Sequence, residues 1–332
     1  MKILVLSTGG TIGSVTHNGV ISPNSKTTVK LLSLYSEQCS DSIEFIQKRV
    51  ADTLSENVTD SFYEALINFL LSFDKSQFDG IIVLHGTDTL EYTASLVSMV
   101  CRDFSIPVGF VSADLPLENP QSNGVENFKA AISYIKAGGK GFFVPYRNRN
   151  DELKIHLSTR LLAADSVYDK FHSLCDKSIA HCKNNGIEFL NYPLLPSQSD
   201  LKKPKAPIFN DEIKFKKKIL LIKTYPQIDY SIYDLQNSNI AAVLHLAYHS
   251  GTAPTYLSKF AIKCCSLGID NYICPVKNKE DLYESAHEFF KCGVRPLPLM
   301  TASAALAKLK IFYNSELSKN EILTEDLYFE TI

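Results

Sequence analysis

The chain has 332 residues, 45% of them hydrophobic and 21% charged, with a formal net charge of -2. That length and apolar content suffice for a sizeable core and favour two domains over one. The near-balanced charge suggests no polyanion partner, since a nucleic-acid binder usually shows a basic face or stripe, and no apolar run approaches the roughly 18–20 residues of a membrane-spanning helix.

The first element, Ile3–Leu6, is a continuous apolar run, which predicts a strand buried on both faces in a parallel sheet. The opening MKILVLSTGG lacks an extended apolar region and a small-residue cleavage site, so it reads as that strand and not as a leader, and the protein is expected in the cytoplasm. Gly80–Leu84, Pro107–Val111 and Gly141–Val144 repeat the pattern. Between them Ser61–Phe73 places Phe62, Leu66, Phe69 and Leu70 at helical spacing, and Leu90–Cys101 and Glu126–Ala137 are similar. Strand and helix alternate, so a mostly parallel α/β domain is predicted over residues 1–190.

A break follows at 191–218, where Pro193, Pro196, Pro204 and Pro207 lie among Ser, Asp and Lys residues, as in a linker. Lys214, Lys216, Lys217 and Lys218 read as its solvated end. Strands resume at Ile219–Lys223 and Ala241–Leu246, then a helix at Thr255–Leu267, a strand near Asn271–Pro275 and helices at Asp281–Lys291 and Thr301–Tyr313. The expected fold is thus α/β, a larger N-terminal mostly parallel α/β sandwich domain and a smaller C-terminal α/β domain at 219–332. The eight cysteines are scattered with no CxxC pair, which suggests neither a zinc site nor a disulfide framework but buried thiols in a reducing compartment.

In an α/β sheet, ligands bind beyond the carboxyl ends of the strands. The loop after the first strand reads Ser7-Thr8-Gly9-Gly10-Thr11-Ile12-Gly13-Ser14. Two glycines permit a sharp turn and a close approach, and Thr11 presents a hydroxyl there. The spacing is not GxGxxG and no GK[ST] follows, so neither a dinucleotide site nor a P-loop is indicated; an ordinary tight turn stays open. After Gly80–Leu84 comes His85-Gly86-Thr87-Asp88-Thr89-Leu90-Glu91-Tyr92-Thr93-Ala94. Helix capping explains Thr87, Asp88 or Thr89 singly, but not two Gly-Thr turns at the same end of one sheet.

TGGTI followed about 75 residues later by HGTDT resembles the bacterial-type L-asparaginase and glutaminase-asparaginase family. The resemblance implies two α/β domains and no metal or organic cofactor. It implies that Thr11 attacks a side-chain amide to give an acyl-enzyme and ammonia. Thr87, Asp88 and a lysine from a later loop would complete the proton-handling group, Asp88 also binding the substrate's α-amino group. Ser55-Glu56-Asn57-Val58 is similar to a segment of the archaeal tRNA-dependent amidotransferase subunit that resembles asparaginases, which makes Ser55 and Glu56 the expected substrate contacts.

Several positions depart from the family pattern. Ser112-Ala113-Asp114 replaces a Thr-Gly-Ser-Gln segment, and Ser122-Asn123-Gly124 matches Ser-Asp-Gly in part. Arg160, in Ser158-Thr159-Arg160, stands for the lysine; it cannot act as a base but can orient Thr87 electrostatically. Gly251-Thr252-Ala253-Pro254 resembles Gly-Asn-Ala-Pro, and Ser303 falls where the family often has a glutamate that reaches a neighbour's site. Thr11–Ser25, with Gly13, Gly19 and Pro23, is expected to be a mobile lid. The resemblance further implies a homodimer or homotetramer, since members build the site between two subunits. The expected function is hydrolysis of L-asparagine to L-aspartate and ammonia, a small-molecule amide reaction with no nucleic-acid or membrane partner. A glutaminase or amidotransferase-type amidase, or a catalytically weak amino-acid-binding homologue, are the alternatives.

Overall fold

A computed structural model of the protein describes residues 1–17, 20–23, 27–183, 186–236, 238–276 and 282–332, with the backbone alone at 15–17 and 20–23. Gly19 and Ser25 of the expected lid, and Asp281 at the start of an expected helix, lie outside the described residues. The chain divides into two compact units, Met1–Pro207 and Ile208–Ile332. The division falls inside the proline-rich stretch.

In the first unit β1 (Lys2–Gly9) leads into a one-turn helix, Thr11–Gly13, and a separate antiparallel hairpin of β2 (Ser14–His17) and β3 (Val20–Pro23). There follow α1 (Thr27–Gln38), β4 (Glu44–Thr53), α2 (Asp60–Ser72), β5 (Gly80–Leu84), α3 (Leu90–Val100), β6 (Val108–Val111), α4 (Gly124–Lys136) and β7 (Phe142–Arg147). Then come β8 (Leu153–Leu157), β9 (Ala180–Lys183), β10 (Gly186–Phe189) and the short α5 (Gln198–Leu201). One eight-stranded sheet runs β10-β9-β8-β7-β6-β5-β1-β4. From β4 to β7 the pairings are parallel; β8, β9 and β10 extend the sheet antiparallel.

The physical cause of this order is visible in burial. Every residue of β5 and β6 is buried, as is Ile3–Leu6 of β1, which is what helices on both faces of a parallel sheet produce. By contrast β4 is an edge strand with both faces partly exposed, so its sequence EFIQKRVADT carries no continuous apolar run. The strand order places β1 between β4 and β5, and the chain turns from one side of β1 to the other at that point. This is a topological switch, where the loops at the strands' carboxyl ends diverge and leave a crevice.

In the stretch 191–218, Ser197 and Asp200 form a capping box around α5. Ile213 and Phe215 are buried, while Lys214, Lys216, Lys217 and Lys218 are exposed. The second unit has a four-stranded parallel sheet of β11 (Lys218–Lys223), β12 (Ile240–Leu246), β13 (Asp270–Cys274) and β14 (Val294–Pro296), in that order. Its helices are α6 (Leu257–Ser266), α7 (Glu284–Lys291) and α8 (Ala302–Asn314). Val243, Leu257, Phe260, Ile273 and Phe289 form its core, with Tyr230 stacked on Phe260 at 4.7 Å between ring centroids. Lys308 and Glu330 make a fully buried ion pair at 3.0 Å. Glu330 also accepts the backbone N–H groups of Leu327 and Tyr328 at 2.9 and 2.7 Å. Thr301 caps α8 by accepting the Ala304 N–H at 3.1 Å, with the Ser303 hydroxyl 3.0 Å away.

Among the described residues no helix is long and apolar enough to cross a membrane. No group of three metal-binding side chains occurs among them, and all eight cysteines are free thiols.

Candidate active site

Three loops meet at the switch point. The first leaves β1 through Gly9 and Gly10, at φ +104° and +76°. These left-handed values favour residues without a Cβ. Gly10 O accepts both the Gly13 N–H at 3.0 Å and the Ser14 hydroxyl at 2.7 Å, which fixes the turn carrying Thr11. Upstream, Thr8 donates its hydroxyl to Leu84 O at 2.7 Å and ties the end of β1 to the end of β5.

The second loop, after β5, presses directly on the first. A Cβ on Gly10 would lie 2.1 Å from the Gly86 nitrogen, and one on Gly86 would lie 2.6 Å from the Ser55 hydroxyl oxygen. Gly10, Gly86 and Ser55 therefore touch in sequence across three loops. Thr11 and Thr87, each directly following one of the touching glycines, are brought to the same crevice, and both are half-buried. The third loop is the one-turn helix Ser55–Asn57 after β4. Buried Ser55 donates its hydroxyl to Asp88 Oδ2 at 2.7 Å, and its carbonyl accepts the Thr89 hydroxyl at 2.9 Å. The N–H groups of Thr87 and Asp88 have no acceptor among the described residues.

The structure thus gathers Thr11, Ser55, Thr87 and Asp88. Asp88 is exposed at the crevice, and Glu56 stands exposed on its one-turn helix. Arg160 comes from another segment. It is buried on the turn after β8, and its Nη1 donates to the carbonyl of Leu194. Ser112–Asp114 and Ser122–Gly124 lock to each other. Asp114 N donates to Asn123 Oδ1 at 2.9 Å and Asp114 Oδ1 accepts the Asn123 N–H at 3.0 Å.

Two buried groups next to the threonines were not anticipated from sequence. His85 Nδ1 is 2.8 Å from Gly86 O and its Nε2 is 2.9 Å from the Thr93 hydroxyl. A carbonyl only accepts, so Nδ1 carries the proton and Nε2 accepts from Thr93. Burial pushes the imidazole down to about 4, so it stays neutral and pins the Gly86 peptide. Glu91, in the first turn of α3, is 3% exposed. Burial, with a smaller contribution from the negative Asp88, pushes its carboxyl up to about 7. In the sequence it passes for a surface acid complementing a helix N-terminus.

Residues 2–195 match the Asparaginase, N-terminal family. An L-asparaginase of Thermococcus kodakarensis is 29% identical over 216 residues, which are 61% of this chain and 60% of that protein. A glutamyl-tRNA(Gln) amidotransferase subunit from Methanococcus maripaludis is 28% identical over 234 residues, 70% of this chain and 55% of that protein. The chain therefore spans 60% or less of the length of these two relatives. Among solved structures, the thermostable L-asparaginase from Thermococcus kodakarensis superposes with a TM-score of 0.80 at 22% identity, covering 100% of this chain and 99% of the other. L-asparaginase I from Vibrio cholerae gives 0.77 at 20% identity, with the same coverage. With the matched region spanning both threonine turns and the whole eight-stranded sheet, the chain belongs to the asparaginase family.

Proposed function

We propose that the protein is an amidohydrolase that converts L-asparagine to L-aspartate and ammonia with Thr11 as the nucleophile. The observation that supports this reading is the Gly10–Gly86–Ser55 contact, which brings the two Gly-Thr turns together beside the Asp88 carboxylate. Asp88, oriented by Ser55, holds the substrate's α-ammonium through a charge-assisted hydrogen bond. Ser55 and Glu56 contact the substrate's remaining polar groups. Thr11 Oγ adds to the side-chain amide carbon. The oxyanion is met by backbone N–H donors, for which the amides of Thr87 and Asp88 are available. The Thr11 hydroxyl proton is relayed through Thr87 to the leaving nitrogen, the C–N bond breaks and ammonia departs, and water then adds to the acyl-enzyme ester, releasing aspartate and returning a proton to Thr11. Arg160 acts at a distance, through its fixed positive charge.

The test is ammonia release from asparagine, glutamine and aspartyl peptides by the wild type and by Thr11→Ala. Asparagine is expected to be turned over fastest, and Thr11→Ala to lose on the order of a thousandfold or more in rate with an unchanged melting temperature. Wild-type turnover in Thr11→Ala overturns the assignment of the nucleophile. A glutaminase or amidotransferase-type reading is favoured by Ser55-Glu56-Asn57 and by the amidotransferase relatives, and glutamine outpacing asparagine decides for it.

The reading includes a cytoplasmic location, supported by eight free thiols, and a homodimer or homotetramer. A solution mass near the chain's own 37.1 kDa with full activity overturns the oligomer.

A further inference from the structure

Asp88 and Glu91 flank the point where the β5 loop enters α3, and the Asp88 charge is near enough to act on the Glu91 carboxyl. Their surroundings are opposite. Asp88 is exposed and accepts the Ser55 hydroxyl. Glu91 is 3% exposed, and its Oε2 is buried with no hydrogen-bond partner among the described residues. Among the described residues no cation pairs with it. The groups facing it are Asp88 and Tyr92 on its own segment and Tyr63 from α2. Burial raises the hydroxyls of Tyr63 and Tyr92, so both stay protonated. The turn Ser158–Arg160 also packs on α3, but Arg160 directs Nη1 to Leu194 O. A dry carboxylate without a counter-charge is costly, and a like charge nearby adds to the cost.

We propose that Glu91 is a positioning residue of the ammonium subsite, uncharged while the subsite is empty and ionised when a cationic amino group settles on Asp88. This rests on the reading of Asp88 given above. The incoming ammonium cancels the repulsion from Asp88 and supplies the missing counter-charge. The carboxylic O–H bond of Glu91 breaks, its electron pair stays on the carboxylate, and the proton passes to the buffer. The empty-state carboxyl sits at about 7, so the exchange falls in the neutral range. Glu91 then acts through Asp88 as a second negative charge, and ligands bearing an α-ammonium gain affinity as pH rises from about 6 to about 8.

The experiment is calorimetry of L-aspartate binding to the full chain at pH 6.5, in two buffers of different ionisation enthalpy. The expected result is release of about half to three-quarters of a proton per site. Succinate, which lacks the ammonium, is expected to release none, and Glu91→Gln to bind aspartate without release. Should that variant not fold, carboxyl-13C glutamate spectra of the wild type give the same answer: one carboxyl signal moves to its ionised position on adding aspartate. Buffer-independent heats for the wild type, or equal release from Glu91→Gln, overturn the proposal and leave the active-site reading standing. Failure of both aspartate and asparagine to bind overturns the two together.

Discussion

Gly10 and Gly86 meet backbone to backbone: a Cβ on Gly10 would stand 2.1 Å from the Gly86 nitrogen. No side-chain rearrangement relieves a clash with main chain, and φ +76° at Gly10 is strained for any residue with a Cβ. Gly10→Ala is therefore expected to cost more than about 2 kcal/mol and to abolish turnover. Gly13, two residues past Thr11, has open space around its Cβ position, and Gly13→Ala is expected to stay within about 1 kcal/mol of wild type. Thermal unfolding of both variants checks this; equal melting temperatures would remove the glycine contact as the device that assembles the site.

Removing the charge at the crevice separates binding from chemistry. Asp88→Asn is expected to weaken asparagine by about 30-fold or more, equivalent to roughly 2 kcal/mol. The same change should leave an amide lacking the α-ammonium nearly untouched. Ser55→Ala, which frees Asp88 Oδ2 from its 2.7 Å hydrogen bond and also removes a proposed substrate contact, is expected to show a smaller loss on asparagine. KM for the two substrates is the readout, and parallel losses on both would assign Asp88 a structural role.

Three buried histidines make the fold sensitive to acid. His85 and His245 sit at about 4 and His156 at about 3, each driven down chiefly by burial. The unfolded chain binds a proton at each near pH 6.5, so between about 6.5 and 4 it holds more protons than the native state. Stability therefore falls as pH drops through this window, by up to about 1.4 kcal/mol per pH unit for each histidine. Above pH 6.5 the penalty is absent. Urea unfolding at pH 7.0 and pH 5.0 measures it, and His245→Asn should flatten the dependence. A stability independent of pH across that range would contradict the neutral, buried state of these rings.

In the second unit, Lys308→Met is expected to cost about 3–5 kcal/mol, because it leaves Glu330 buried without its cation. Glu330→Gln should cost less, since Lys308 keeps the Glu325 carbonyl and the amide oxygen still accepts one of the Leu327 and Tyr328 N–H groups, which go to separate oxygens of Glu330. Unfolding midpoints rank the two, and the reverse order would mean that the backbone contacts outweigh the ion pair.

Elements buried on both faces were legible in the sequence, because continuous apolar runs such as GIIVL have no other economical explanation. Elements at the rim were not. The alternation in β4 is blurred by exposure on both faces, and β8 to β10 are short, with a lysine and a histidine in each of β8 and β9 and a glutamate in β10. At the site, the two Gly-Thr turns could be read, since a glycine followed by threonine directly after a buried strand is conspicuous. That Ser55 touches Gly86 could not, because nothing local in either segment encodes the approach. Nor could the contact of Arg160 with Leu194, which is 34 residues away and main-chain in nature. His85 and Glu91 look ordinary in the sequence; what distinguishes them is enclosure, which belongs to the folded chain alone.

The order of strands across β4, β1 and β5 has a kinetic consequence. Thr8 is bonded to Leu84 across 76 residues, and Ser55 to Asp88 across 33. Contacts that far apart in the chain close only after large loops have been ordered, and they are slow to form. No fragment ending before β5 can contain the crevice, and a nascent chain holds Thr11 exposed and idle until the fifth strand has docked beside the first. During refolding, ammonia release should therefore reappear with the slowest sheet-forming phase, after helical signal has already returned, so that the reaction itself reports completion of the large sheet.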